Sequence, residues 1–436
     1  MRERVTRMKW IRVFLCMSSL ILATSTLGWS AKDAVTASEP HERQSSQPPP
    51  AARMVDLKAP DGTALKANYF GAAKPGPGVL LFHQSNRTRK SWDAVAAQLA
   101  AAGINTLTID MRGFGQSGGK EYEKLTSAEV AHERYEVWPG DIDVAWQYLV
   151  SQTGVKHDVI GLGGAGYDGV DNSVQTARRH AADVKSLALL SGETFLPGLR
   201  FLRQASQLPG MFVVADDDEY PPTAEAMELL YSMSSYLGKK FVHYAGKRAP
   251  WLGDENKAGV PATGSHGTDL FKVHPELPGL IVDWFVTTLI KTPGHAPVDN
   301  SGAGALPFAS IINQLQIPGG VAQITQQLME ARRRDPKAQW WPEYVVSILG
   351  YDHLRVGDTK SAVEIMKLNI LAYPESANAS DSLSDVYLAD GQKDLARQYA
   401  EKALVLLASD TNDSEAWRHV IRESAQQKLK KLGAAP

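Results

Sequence analysis

The sequence predicts an α/β domain built on a mostly parallel sheet, followed by an all-α region of helical repeats. Three observations carry this. From about Arg53, short apolar runs alternate with stretches of helical length, the pattern of strand–helix–strand units. The alternation stops near Lys291, where "TPGHAPVDNSGAGALP" reads as a linker. Beyond it, similar residues recur at a spacing of 34, as from Leu349 to Leu383.

The strands and helices follow in order. "MVDLKA" and "ALKANYF", parted by the turn "PDG", predict an antiparallel hairpin, and "GVLLFHQ" a strand buried on both faces. "SWDAVAAQLAAAG" reads as a helix closed by Gly103, and "INTLTID" as the next strand. Helix and strand then alternate through "DIDVAWQYLVSQ", "HDVIGLG" and "DNSVQTARRHA" to the strands "VKSLALLSG" and "GMFVVAD". "TAEAMELLYSMSSYLG" (helix), "KKFVHYA" (strand) and "GLIVDWFVTTLI" (helix) complete the domain. In such a sheet a ligand site belongs at the carboxyl ends of the strands.

Composition sets bounds on the rest. The 436 residues are 43% hydrophobic and 22% charged, enough for two or three packed domains. A net charge of −2 gives no electrostatic footprint for nucleic acid or an anionic surface. The basic start "MRERVTRMKWIR" and apolar "VFLCMSSLILATSTLG" predict an export signal over residues 1–31, with processing after Ser30 and a periplasmic or secreted product. A retained anchor helix is the alternative. The sole cysteine, Cys16, lies inside this segment, so the processed chain would hold no disulfide, thiol nucleophile or Cys-based metal site. No metal or other cofactor is expected. Residues 32–52, rich in Pro, Ser and Gln, read as a tether. The expected boundaries are then 53–291 for the α/β domain, 292–318 for the linker and 319–436 for the helical region.

Within that helical region Leu349 matches Leu383, Gly350 matches Ser384, and His353 matches Tyr387. Gly357 matches Gly391 and Ala362 matches Ala396, with Pro374 closing the first unit. These residues resemble the tetratricopeptide repeat, which implies a protein partner held on a concave face. Two units cannot bury their faces alone, so residues 319–336 and "DSEAWRHVIRESAQQKLKKL" are expected to cap the stack.

"IDMRGFGQSGG" resembles the Asp-x-Arg-Gly-x-Gly-x-Ser turn of the α/β-hydrolase superfamily, closest to its dienelactone-hydrolase and carboxylesterase branch. Here Asp110 and Arg112 are expected to tie the turn together. The resemblance spans roughly residues 53–290 and implies a nucleophile on a strand–turn–helix elbow, then an acid, then a histidine. It assigns the acid to "MFVVADDDEYPP", at Asp218 with Asp217 as neighbouring candidate, and the histidine to His266 of "GSHGTDLF". The elbow must be "VIGLGGAGYDGVDNSV". Taking Gly169 as the glycine after the nucleophile puts Tyr167 at the attacking position and Ala165 at the earlier glycine; shifted registers give Gly166 or Asp168, and none gives serine.

A phenol of reference pKa ~10 is a poor nucleophile at neutral pH. Asp168 could attack an alkyl carbon, as in dehalogenase-like relatives, but then Val170 stands where glycine is needed. Ser85, Ser173 and Ser191 lie near strand ends or the elbow helix, and none is expected in a strained presentation. Oxyanion donors are expected around Gln84 and Asp168. "KRAPWLGDENKAGVPATG" is a candidate lid. The reading is a non-catalytic hydrolase-fold protein with a small-molecule or peptide ligand in its cleft and a protein partner on its repeats. Its alternatives are an active ester, lactone or peptide hydrolase with an unconventional nucleophile, and a repeat scaffold with a passive sheet domain.

Overall fold

The structure is a computed structural model that describes residues 51–218, 222–246, 265–295, 309–410 and 415–433. The expected signal, nearly all of the tether, the candidate lid and residues 296–308 of the linker lie outside the described residues.

Among the described residues the apolar runs become eight strands: β1 (Arg53–Lys58), β2 (Ala64–Phe70), β3 (Gly76–Phe82), β4 (Asn105–Asp110), β5 (Val155–Ala165), β6 (Val184–Leu190), β7 (Gly210–Ala215) and β8 (Lys240–Tyr244). They form one sheet in the order β1-β2-β4-β3-β5-β6-β7-β8. The hairpin β1–β2 and the β2–β4 pairing are antiparallel, and all others are parallel. β3 and β4 are buried along their whole length, as strands covered on both faces must be. This is a mostly parallel sheet sandwiched by helices, with a helix-rich region after it.

One face is covered by α1 (Asp93–Ala101), the short α7 (Leu270–Val273) and α8 (Leu277–Phe285), around Trp92, Leu99, Ile281 and Phe285. Trp92 Nε1 donates to the Phe82 carbonyl at 2.9 Å, so the indole is buried with its polar atom satisfied. The other face carries α3 (Trp138–Ser151), α4 (Gly166–Arg179), α5 (Leu196–Gln204) and α6 (Pro222–Met233). Ahead of α3, α2 (Ser127–His132) opens on a Thr126/Glu129 capping box and runs into a wide turn, Glu133–Val137, that carries Arg134. Local pattern in the sequence points to neither that segment nor α5.

The helices described after the α/β domain are α9 (Ala309–Leu315), α10 (Gly320–Arg334), α11 (Glu343–Arg355), α12 (Thr359–Ala372), α13 (Ala377–Ala389), α14 (Lys393–Leu407) and α15 (Glu415–Lys431). α13 and α14 each start 34 residues after α11 and α12. Both turns bend through a left-handed glycine, Gly357 and Gly391, each at φ +81°. Where the helices of a pair meet, Ala362 and Ala396 are fully buried, and a side chain on Gly350 would strike Met366. The repeat is therefore structural as well as sequential. α9 falls inside the stretch expected to be linker, because Ile312 and Leu315 bury themselves against the α/β domain. One apolar cluster runs from the sheet through Leu199, Met227 and Leu230 to Tyr344, Val345 and Ile348. Among the described residues no helix is long and apolar enough to cross a membrane.

Glu343, buried at the start of α11, accepts from Ser376 Oγ (2.9 Å) and Asn378 Nδ2 (2.7 Å), tying the first helix pair to the second. Burial raises its carboxyl to about 7, against its two hydrogen bonds, which lower it. The unfolded chain therefore binds fewer protons than the folded one between about 4.5 and 7, so stability falls as pH rises through that window. Glu343→Gln keeps an acceptor for both donors and removes the charge. It should flatten that slope and gain on the order of 1–3 kcal/mol above neutrality in urea unfolding followed against pH.

Candidate functional site

The site lies at the carboxyl ends of β3, β5, β6 and β7. β5 ends at Ala165, and Gly166 begins α4 with φ +66°, a left-handed backbone open to glycine at no steric cost. The turn is close-packed. Gly164 lies against the Gly169 carbonyl, and Ser173 Oγ donates to that same oxygen at 2.8 Å. A Cβ built on Gly166 would stand 3.3 Å from His266 Nε2 and 2.5 Å from Gln84 Cβ. Gly166, not Tyr167, thus occupies the strained turn position facing the histidine, a correction of one residue to the register read from the sequence. The "two residues later" position then holds Asp168, whose carboxylate leaves the turn to meet Arg134.

The structure brings Asp218 and His266 together: Nδ1 lies 3.0 and 3.1 Å from the two carboxylate oxygens. Asp218 is fully buried at the end of β7, and its amide donates to the Ala215 carbonyl. The neighbouring candidate, Asp217, packs instead near Gly246. With Nδ1 engaged by the carboxylate, the ring turns Nε2 toward the elbow, the orientation in which a histidine serves as base or hydrogen-bond partner. This order of strand ends makes an acid–histidine pair and a turn converge, but the turn brings no side chain.

Gln84, expected among the oxyanion donors, uses its side chain otherwise. Its Nε2 donates to the His266 carbonyl at 3.2 Å, while Oε1 accepts from Thr268 N (2.8 Å) and Thr268 Oγ1 (2.9 Å). The amide therefore clamps the histidine loop to the end of β3. Next to it His83 is buried between the Gln84 carbonyl (2.8 Å from Nδ1) and the Met111 amide, which donates to Nε2 at 3.1 Å. Burial pushes the His83 ring down, so it stays neutral and structural.

Asp168 is buried in an ion pair with Arg134, Nε to Oδ1 at 2.6 Å, and so is not poised to attack. The Arg134 guanidinium also lies 4.5 Å from the centre of the Tyr167 ring and donates to Tyr122 Oη at 2.5 Å. Burial works against its charge, but Asp168 holds it protonated. Burial also pushes the Tyr167 phenol well up, making it a poorer nucleophile still.

Asp110 does tie the glycine turn, accepting from Gln116 N (2.9 Å) and Arg89 N (2.7 Å) and pairing with Arg89. Arg112 turns away from it to Asp141 (2.8 Å) and Asp61, locking α3 to the first hairpin. Ser191 departs from expectation. It is the only described non-glycine residue in the left-handed region, at φ +48°, and its buried Oγ has no hydrogen-bond partner among the described residues. It follows β6 directly beside the elbow, since Leu190 pairs with Ala165 and Gly192 abuts the Gly166 carbonyl. Local apolar pattern gives no sign of such strain; only the backbone geometry does.

No protein-family model matches this chain, and no curated protein matches it. Among solved structures it is similar to an esterase of Pyrococcus furiosus, at 14% identity and a TM-score of 0.40, over 55% of this chain and 93% of that one. It is similar also to a dienelactone hydrolase from Anabaena variabilis, at 18% identity and a TM-score of 0.38, over 54% of this chain and 97% of that one. A thermostable carboxylesterase cloned from a metagenomic library gives 16% identity and a TM-score of 0.38, over 55% of this chain and 89% of that one.

The elbow geometry predicts a cost for any side chain there. Gly166→Ala combines a left-handed alanine with a clash against Gln84 Cβ, and should lose at least about 2 kcal/mol in urea unfolding. Gly279→Ala, at an open helical position with nothing near its Cβ, should be neutral or slightly stabilising.

Proposed function

We propose that this protein is a non-catalytic relative of the ester hydrolases. It keeps the acid and histidine of that chemistry, has lost the elbow nucleophile, and uses the cleft to bind a small-molecule or peptide ligand. The observation that carries this reading is Gly166, which stands at the turn facing His266 with no side chain and no room for one. Arg134, lying over Tyr167 and paired with Asp168, supports it by filling space beside the turn. Export from the cytoplasm, as the N-terminal sequence suggests, and a protein partner on the tetratricopeptide-like repeats belong to the same proposal.

A second reading, an active hydrolase with an unconventional nucleophile, is favoured by Ser191. Backbone strain and an unpartnered buried hydroxyl on one residue are features that cluster at functional sites. We rank it second because its hydroxyl is fully buried and makes no hydrogen bond to His266.

Ester turnover separates the two. Under the first reading the wild-type chain gives no more than background hydrolysis of short-chain nitrophenyl esters, and His266→Ala changes nothing. Clear wild-type turnover that falls on the order of 10²–10⁴-fold in His266→Ala would overturn it, since that is the usual worth of a general base.

A further inference from the structure

The aromatic side chains around Tyr167 continue to the first repeat helix. Phe195, just ahead of α5, packs on Tyr167 with ring centres 5.3 Å apart and on Tyr135 at 6.3 Å. The guanidinium of Arg355, from the last turn of α11, stacks on Phe195 with its carbon 3.4 Å from the ring centre, and lies 5.6 Å from that of Tyr135. Arg355 also pairs with Asp352, buried one turn earlier, at 3.2 Å. Two carboxyls of the α/β domain share this region. Glu193 accepts from Tyr344 Oη at 2.7 Å, and Asp171 accepts from Thr194 Oγ1 at 2.6 Å. Burial raises the carboxyls of both Asp171 and Asp352, and Arg355 opposes the rise in each.

Asp352 pairs with this guanidinium and Asp171 feels its charge, with Glu193 close by at Tyr344, while Arg134 is already matched by Asp168. Aromatic faces beside excess acid form an environment suited to a flat, delocalised cation, and arginine meets both parts of it at once. A compact ammonium satisfies the charge but cannot stack.

We propose that Tyr135 and Phe195 of the α/β domain, with Asp171 nearby, form a guanidinium-binding subsite, occupied by Arg355 of the first repeat helix. The repeat region supplies the resident ligand from its own sequence. Once Arg355 is removed, a guanidinium compound, or an arginine of a bound peptide, takes its place against Phe195. This goes beyond the function proposed above and holds whether or not the cleft turns over a substrate.

Chemical rescue tests it on the full chain. Arg355→Ala should melt several degrees below wild type, and methylguanidinium at millimolar concentration should restore most of the loss. Methylammonium at equal ionic strength should not, and wild type should respond to neither. A short arginine-containing peptide provides the second arm. Rescue by peptide and methylguanidinium assigns the subsite to arginine side chains, whereas rescue by methylguanidinium alone assigns it to free guanidinium compounds. Absence of rescue by either, equal rescue by methylammonium, or equal stabilisation of wild type would overturn the proposal. If Arg355→Ala does not fold in buffer, refolding only with methylguanidinium present supports the subsite equally, and failure to refold with it overturns the proposal too.

Discussion

The close approach of Gly166 to Gln84 is the constraint on which this site depends. A left-handed residue at the end of β5 lets α4 start directly over the sheet, and the absent side chain lets the end of β3 move in against it. That approach places Gln84 where its amide can reach across to His266 and Thr268. The histidine loop is in turn held where Nδ1 meets Asp218. A side chain at residue 166 would push on the first link of this chain of contacts. The arrangement that keeps the acid–histidine pair in place is therefore the same one that leaves the turn without a reactive atom.

A second dependence runs outward from the elbow. Tyr167 lies between Arg134 on one side and Phe195 on the other, and Phe195 carries Arg355 from α11. The apolar core beneath them is continuous, from the sheet through α5 and α6 into the first repeat helix. α11 is buried from Glu343 to His353, leaving little of it to present to another protein. The polar network of the later helices is also internal: Lys428 of α15 is buried between Asp381 and Asp385 of α13, at 2.9 and 2.8 Å, and Tyr351 Oη donates to Asp385 at 2.9 Å. Such buried charge is retained only when fully paired, and it fixes how the three helices stack.

The strands were legible because their apolar runs are continuous and bounded by glycine or proline, and the repeats because left-handed glycines and small contact residues recur at one spacing. The pairing of Asp218 with His266 was legible from chain order and neighbours. The elbow register was not. "GGAGYDG" offers small residues at several offsets, and sequence alone cannot say which of them adopts positive φ. The rule that a glycine follows two residues later misled, because Asp168 fills that position by sending its carboxylate to Arg134, far away in sequence. The strain at Ser191 was likewise hidden in an ordinary strand end. Arg355 leaves no local signal because its partners Tyr135 and Phe195 belong to the α/β domain, much as Tyr344 meets Glu193 at a separation of 151.

The central claim, that no side chain at this site is poised for attack, meets its most direct test in intact-mass measurement after exposure to a fluorophosphonate. The chain should remain unmodified under conditions that fully label a serine esterase run alongside. A stoichiometric adduct, above all one mapping to Ser191 and lost in His266→Ala, would contradict it.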